Sequence, residues 1–586
     1  MQVTRDNLPT VLPKFVQLLK TCDFYAFDEE MTGINVPELP ESVTDTPQET
    51  YNAKRAAASR YNIIQVGICL FHKNSENGPS TPASYVARPF NFVIFPNHED
   101  DSPSLGRGDD VVLNPSSLAF LRRHDMNFQS WVYRGMGYCD AAREVVLRQN
   151  HEEKYHPNLN DSTEQRRRHA QSMELLTQEE RSWFDGAVAA AQSLCERARA
   201  AVERAQAQCA EKGRPGAIEL DAAMDLQRSG GRDVVIQPQR NKNARECLQR
   251  HIAQHFQDIS LTFRRSGSTY HGTFKVLFPG EQARILEKES ALRERELVDM
   301  LGFRLVFKAL VESSKPCVGH NCLADVLFLL ASLDGELPAA LPEFKHRVVQ
   351  LFPKVFDTKY IASRQDLFPA GRFGSRYLAG YFDEYGFCSA NVRVSLPLGF
   401  EEYDPLTLSS VERSAGGNGA PVHEAGYDAL LTGTLLLNLL AEIGGGDVTT
   451  APAGLTNRLA LFRSLFAINL NPDGEDEYLP QSGALTLQHE KHIKSHHIDS
   501  CFSAFSLQHV ALYPIDDMRT LAVLPLSWTK ACNLDVEDVS GLSVQMTSRF
   551  PQYFQASPFT FPAGTKGAFR ATPVSLARTV CKALRR

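Results

Sequence analysis

The sequence predicts an α/β protein with a long inserted segment and a separate α+β module near its C-terminal end. Three patterns carry this reading. A buried strand followed by a hairpin opens the chain, and apolar helices alternate with short strands from about residue 291 to 446. Beyond Gly444-Gly445-Gly446 the order reads β-α-β-β-α-β.

The chain has 586 residues, 43% of them hydrophobic and 22% charged, as in an ordinary globular protein. Its formal net charge is -7, so a polyanionic partner has to be held by local basic patches or by metal. Twelve cysteines are scattered without CxxC pairs or zinc spacing, which predicts reduced thiols in a cytoplasmic or nuclear protein. The N-terminal residues lack a secretory pattern, and no apolar run reaches membrane-span length, so neither secretion nor membrane insertion is expected.

Leu8, Val11, Leu12, Phe15, Leu18 and Leu19 fall at helical spacing. The apolar run from Phe24 to Phe27 reads as a strand that continues into FDEEMTGI, with Gly33 as its breaker. Asp45-Thr46-Pro47 opens a polar helix. Tyr61 to Phe71 and Tyr85 to Phe95 read as a β-hairpin across the turn-rich NSENGPSTP. Asn114-Pro115 starts a helix over SSLAFLRRH. In MNFQSWVYRGM, Phe128 and Trp131 supply either core or a ligand platform.

Residues 151–290 read as an insertion. After a polar linker, Thr177 and Glu180 make a capping box before a long Ala/Glu/Arg-rich helix. A basic helix (RNKNARECLQRHIAQHF) and the strands ISLTF and YHGTFKVLF follow, as a small nucleic-acid module or a solvated basic surface. The first pattern resumes with one helix over VDMLGFRLVFKALVESS, the strand 316–319 and the helix LADVLFLLASL, for which Asn321 could be the N-cap. Then come a strand KVFDTKY bearing Asp357, Thr358 and Lys359, a helix YLAGYFDEYGF, and a loop at 414–421. That loop leads to His423 and the helix HEAGYDALLTGTLLLNLL. A connecting helical segment over 447–480, a ferredoxin-like domain of RNA-recognition-motif topology over 481–560 and a tail over 561–586 complete the chain. The first and third strands of that domain, ALTLQH and RTLAVLP, lack base-stacking aromatics.

Four carboxylates stand out in apolar surroundings. Residues i and i+2 of a strand share a face, so Asp28 and Glu30 project together. Asp325 and Asp428 are each embedded in an apolar helix. Buried like charges need protonation, a basic partner or divalent metal. Four of them suit two hard cations about 3.5–4 Å apart that clamp a phosphoryl displacement. His423, about 140° from Asp428 if both were helical, enters from the preceding loop, where a neutral imidazole could take a proton from the attacking water.

FDEEMTGI, VGHNCLAD and HEAGYD resemble the three exonuclease motifs of the DEDD family, in its His-containing branch. The DTP segment, FNFVIFP, VFDTK, the insertion before GHN and the C-terminal domain make the wider pattern similar to the poly(A)-specific ribonucleases (PARN) of that family. The resemblance implies a ribonuclease H-like core, a mixed sheet flanked by helices, spanning 1–150 and 291–446. It implies two Mg²⁺ ions, with Mn²⁺ as a substitute, on Asp28, Glu30, Asp325 and Asp428, and His423 as general base. It further implies a homodimer acting on single-stranded RNA, releasing nucleoside monophosphates from poly(A) 3′ ends. Ile34, Asn321 and Lys359 are then RNA contacts, with Met31 where the family has an aromatic and Phe128 as a further platform. The family's cap-binding tryptophan is missing before Ile515-Asp516-Asp517, where Tyr513-Pro514 stand instead, which argues against cap binding. A 3′-trimming exonuclease of small RNAs and a non-catalytic RNA-binding scaffold are the alternatives.

Overall fold

A computed structural model describes residues 1–74, 82–96, 110–155, 174–212, 214, 217–373, 377–403, 423–444, 447–479, 483–489, 493–525, 539–549, 551 and 554–559. The chain divides into two units, Met1–Leu147 with Val298–Arg586, and Arg148–Leu297. The expected linker after residue 155, the loop 414–421, the second helix of the C-terminal domain and the tail lie outside the described residues.

The first unit begins with β1 (Gln2–Val3) and α1 (Leu8–Thr21), which buries Leu8, Phe15 and Leu19. Then come β2 (Phe24–Met31), α2 (Pro47–Arg60), β3 (Ile63–Lys73) and β4 (Ala83–Val93). Thr46 and Glu49 form a reciprocal capping box at the start of α2. β2, β3 and β4 are antiparallel neighbours, with Asp28 opposite Gly67 and Glu30 opposite Gln65. Short helices α3 (Pro115–Arg123) and α4 (Phe128–Arg134) and the longer α5 (Ala141–Tyr155) follow.

The second unit holds α6 (Gln178–Glu211), α7 (Ile218–Arg228), β5 (Asp233–Val235), α8 (Lys242–His255), β6 (Ile259–Ser266), β7 (Thr269–Val276) and most of α9 (Pro279–Leu301). Its sheet runs β5-β7-β6. The core is Ala-rich along α6 and is closed by Leu226, Leu248, Ile252 and Phe274. On the basic helix α8, the Arg245 guanidinium lies 3.5 Å from the Tyr270 ring centre.

Returning, the first unit adds α10 (Phe303–Ser313), β8 (Cys317–Gly319), α11 (Leu323–Leu333), α12 (Leu341–Leu351), β9 (Val355–Asp357), α13 (Thr358–Ser363), α14 (Leu378–Asp383), β10 (Val392–Ser395) and α15 (Ala425–Glu442). The sheet order is β1-β4-β3-β2-β8-β9, with β10 also paired to β4. β8 and β9 run parallel to β2, making a mixed sheet. Strand alternation sorts the two faces. Tyr25, Phe27 and Met31 pack with α1, α10, α11 and α12, whereas Phe24 and Ala26 pack with α13 and α15. Asp28 and Glu30 share the second face.

Four expectations need correction. The single helix over 298–314 is split at Gly302, whose φ of 50° turns the chain, and a Cβ there would lie 1.9 Å from the Gly137 carbonyl oxygen. The strand KVFDTKY ends at Asp357, because that carboxylate accepts the Lys359 and Tyr360 N–H groups and starts α13. Among the described residues of the connecting segment expected to be helical over 447–480, the single helical turn is Ala453–Leu455. The segment forms the antiparallel sheet β11 (Arg458–Ala460), β12 (Phe466–Asn469) and β13 (Glu477–Tyr478), for which the apolar run LFAINL supplies the central strand. In the C-terminal module, β14 (Ala484–Gln488), α16 (Ser495–Ser503), β15 (Ala511–Asp516) and β16 (Arg519–Val523) precede α17 (Val539–Arg549) and β17 (Gln555–Pro558). The segment read as its last strand, 543–550, lies almost wholly in α17, because Leu542 and Met546 bury one helical face. The strand order is β15-β16-β14-β17, all antiparallel.

Candidate active site

The end of β2, the first turn of α11 and the first turn of α15 meet at one place. Burial raises the Asp28 carboxyl well above its usual range, and the neighbouring Asp428, Asp325, Glu30 and Glu29 raise it further. Glu30 is raised by burial and by Asp428 and Asp325. Asp325 is pushed up to about 7, chiefly by burial, although its own and the Glu29 backbone N–H groups oppose the shift. Asp428 is also pushed up to about 7 by burial, against the His423 N–H that it accepts. Each of the four therefore resists ionisation in the bare protein, and oxygen donors crowded in this way fit hard divalent cations. Ligand atoms of Glu30, His423 and Asp428 all lie within 4.8 Å of one another.

His423 sits just before α15 with a left-handed φ of 69°. Its backbone N–H donates to Asp428 Oδ2 at 3.2 Å, and its Nδ1 lies 3.9 Å from the same oxygen. Burial and the nearby His124 hold its imidazole below the usual histidine range. α15 approaches so closely because of Gly67 on β3, where a Cβ would lie 1.8 Å from the Ala425 carbonyl oxygen. Tyr403 further ties the helix start by donating its hydroxyl to Glu424.

The expected RNA contacts are distributed unevenly. Ile34 is exposed, and Lys359 Nζ lies 5.5 Å from the Tyr381 ring centre. Asn321 is not the N-cap of α11, a place taken by Cys322. It is a left-handed residue with φ 58°, and its N–H donates to Asp357 Oδ1. Met31 is buried in the core on the opposite face from Asp28 and Glu30. Phe128 packs against Trp131, with ring centres 6.4 Å apart, in a small cluster with Ile64 and Leu121.

Sequence reasoning missed the side chains that touch His423. Phe120 and His124 of the α3 region place their ring centres 4.6 and 4.2 Å from it. Their i, i+4 spacing was the available signal, since it puts both on one helical face. It also missed Glu29, which is buried with both carboxylate oxygens unpartnered among the described residues, and which burial and Asp325 raise.

Residues 3–436 match the CAF1 family ribonuclease profile, and the chain belongs to that family. Among its relatives, the poly(A)-specific ribonuclease PARN of Xenopus laevis is 24% identical over 541 residues, covering 89% of this chain and 77% of that protein. The pre-piRNA 3′-exonuclease trimmer of Bombyx mori is 25% identical over 446 residues, covering 75% and 71%. The S. pombe Pop2p structure, in its Mg²⁺- and Mn²⁺-bound form, is 13% identical with a TM-score of 0.31, covering 78% of this chain and 97% of that one.

Proposed function

We propose that this ribonuclease is a metal-dependent 3′→5′ exoribonuclease that shortens poly(A) tails and releases 5′-AMP. The observation that carries the reading is the meeting of four carboxylates from three separated segments beside a depressed histidine. The poly(A) substrate rests on the similarity to the poly(A)-specific ribonuclease of Xenopus laevis, which extends over 89% of this chain. Asp28, Glu30, Asp325 and Asp428 would hold two Mg²⁺ ions. Bound there, such ions activate water and stabilise the leaving oxygen of a phosphodiester.

The chain's own residues do the rest. His423, neutral at pH 7 because its pKa is lowered, takes the proton of the attacking water. The water oxygen bonds to phosphorus, the P–O3′ bond breaks, the terminal nucleotide leaves as a 5′-monophosphate, and the freed O3′ takes a proton from solvent to leave the shortened chain with a 3′-hydroxyl. Phe120 and His124 hold the His423 ring from the α3 side. Ile34 offers an apolar face to a base, Asn321 a hydrogen bond to sugar or base, and Lys359 a charge for a phosphate. A homodimer, implied by the motif resemblance, belongs to the same proposal, and sedimentation equilibrium tests it.

A second reading, 3′ trimming of small RNAs, is favoured by the similarity to the Bombyx trimmer. The deciding assay follows 5′-labelled oligo(A) and oligo(U) on a gel with Mg²⁺ and with EDTA. The deadenylase reading expects stepwise 3′ shortening that is faster on oligo(A) and abolished by EDTA. Equal rates on the two RNAs would refute it and promote the trimmer.

A further inference from the structure

Asp357 is fully buried at the end of β9. Its Oδ1 accepts the N–H groups of Asn321 at 2.8 Å, Lys359 at 2.9 Å and Tyr360 at 3.3 Å. Its Oδ2 accepts the Ala460 N–H at 2.9 Å. Capping of α13 accounts for Lys359 and Tyr360. It does not account for Asn321, which comes from the loop before α11, or for Ala460, which comes from β11. Through Oδ1 alone, the backbones of Asn321 and Lys359 are fixed to each other, and Asn321 is held in a left-handed conformation that few L residues adopt.

β11 lies beyond residue 436, where the family match ends, yet its segment braces the same place repeatedly. Asn457 exchanges hydrogen bonds with Val355 of β9, through its side-chain Oδ1 at 2.9 Å and its backbone N–H at 2.7 Å. Glu477 accepts the Tyr360 hydroxyl at 2.5 Å, and Arg364 donates to that hydroxyl at 2.7 Å. Lys345 reaches Asp476 at 2.6 Å.

We propose that Asp357 is a positioning residue for substrate binding, which presents Asn321 and Lys359 to the RNA as one rigid pair, locked by the 457–477 segment. This rests on the reading that those two residues contact RNA. An asparagine at 357 has one acceptor oxygen and one amide group that only donates. Whichever way it turns, it sets a donor against backbone N–H groups and loosens the pair.

The experiment measures KM and kcat on single-stranded oligo(A), and Kd for the same RNA by anisotropy with Ca²⁺ in place of Mg²⁺. The variants are Asp357→Asn, Glu477→Ala, Lys359→Ala and the Asp357→Asn/Lys359→Ala pair. Asp357→Asn and Lys359→Ala should each raise KM and Kd about tenfold with kcat within about threefold. The double variant should be worse than either single but by less than the product of their effects, because Lys359 is one of the two contacts that Asp357 holds. Glu477→Ala leaves the carboxylate of Asp357 in place and should give a smaller rise of the same sign, and it decides the matter if Asp357→Asn does not fold. A folded Asp357→Asn that binds RNA like wild type, loses kcat alone, or adds fully to Lys359→Ala overturns the positioning role while Lys359 remains a contact. So does wild-type binding by Glu477→Ala when Asp357→Asn is unfolded. Wild-type binding by Lys359→Ala removes the RNA-contact reading, and the positioning proposal falls with it.

Discussion

Asp325 and Asp428, both pushed up to about 7, make the bare protein sensitive to pH in a direction that can be worked out. An acid raised by folding keeps its proton in the folded state after the unfolded chain has released it. Stability is therefore lost as pH rises from about 4, the unfolded value, through about 7. His320 acts in the opposite sense. Burial and Lys359 lower it to about 3, so its contribution is present above pH 6.5 and falls away below. Comparing wild type with Asp428→Asn cancels His320. In EDTA the wild-type Tm should drop relative to the variant as pH rises from about 4 through about 7, and saturating Mg²⁺ should remove the difference; parallel curves in EDTA would show that Asp428 is not strained. Asp28→Asn and Asp428→Asn should lack turnover yet fold. His423→Ala should lower kcat by about 10²–10⁴ with RNA Kd unchanged, as loss of a general base does; retained kcat would remove His423 from the chemistry. That Asp28, Glu30, Asp325 and Asp428 come together was legible because a carboxylate in an apolar segment demands a reason. Phe120 and His124 were not, since amphipathic spacing gives a helix its face but not its neighbour. Met31 could have been read from alternation, which sets it opposite Glu30.

Between elements, the tightest approach in the site is α15 on β3. Gly67 stands opposite Asp28 in the ladder, and only its missing side chain admits the Ala425 carbonyl. One turn pair further on, a Cβ at Gly433 would lie 2.1 Å from the Phe71 ring. Gly67→Ala should therefore lift the start of α15, moving Asp428 and His423 away from Asp28. The expected penalty is about 1–3 kcal/mol of stability, as for overpacking, with a loss of kcat larger than that destabilisation explains; kcat equal to wild type in the folded variant would show that α15 can move without consequence. The sequence carried this signal, since glycine inside a strand often marks close backbone approach. Long periodic elements such as α1, α6 and α15 were likewise readable. What escaped were short pieces set by partners distant in sequence. β11 to β13 have few residues each and are strands only because they pair, and β9 stops where Asp357 finds N–H donors on α13, Asn321 and Ala460.

At the scale of the whole chain, the second unit leaves and rejoins through two helices that meet. His151 of α5 contacts the Arg293 carbonyl at 3.1 Å, and Lys154 pairs with Glu296 of α9 at 2.8 Å. Replacing residues 156–290 with a short Gly/Ser linker should thus leave a protein that melts cooperatively and still shortens oligo(A) from its 3′ end. Circular dichroism and the labelled-RNA gel check both parts, and an unfolded product would show that the sheet depends on the insertion. The same interruption has a consequence during synthesis. The antiparallel trio β2-β3-β4 emerges from the ribosome early, with β1 already on part of the β4 edge, but β8, which covers the β2 edge, comes only after the roughly 150 residues of the second unit. At about 5–20 residues per second, the second unit alone adds a wait of roughly 8–30 s with the β2 edge bare and the face that α13 and α15 later cover still open. A nascent chain stalled before residue 317 should be held by chaperones and cut by protease within residues 1–147, while residues 178–279 already resist digestion.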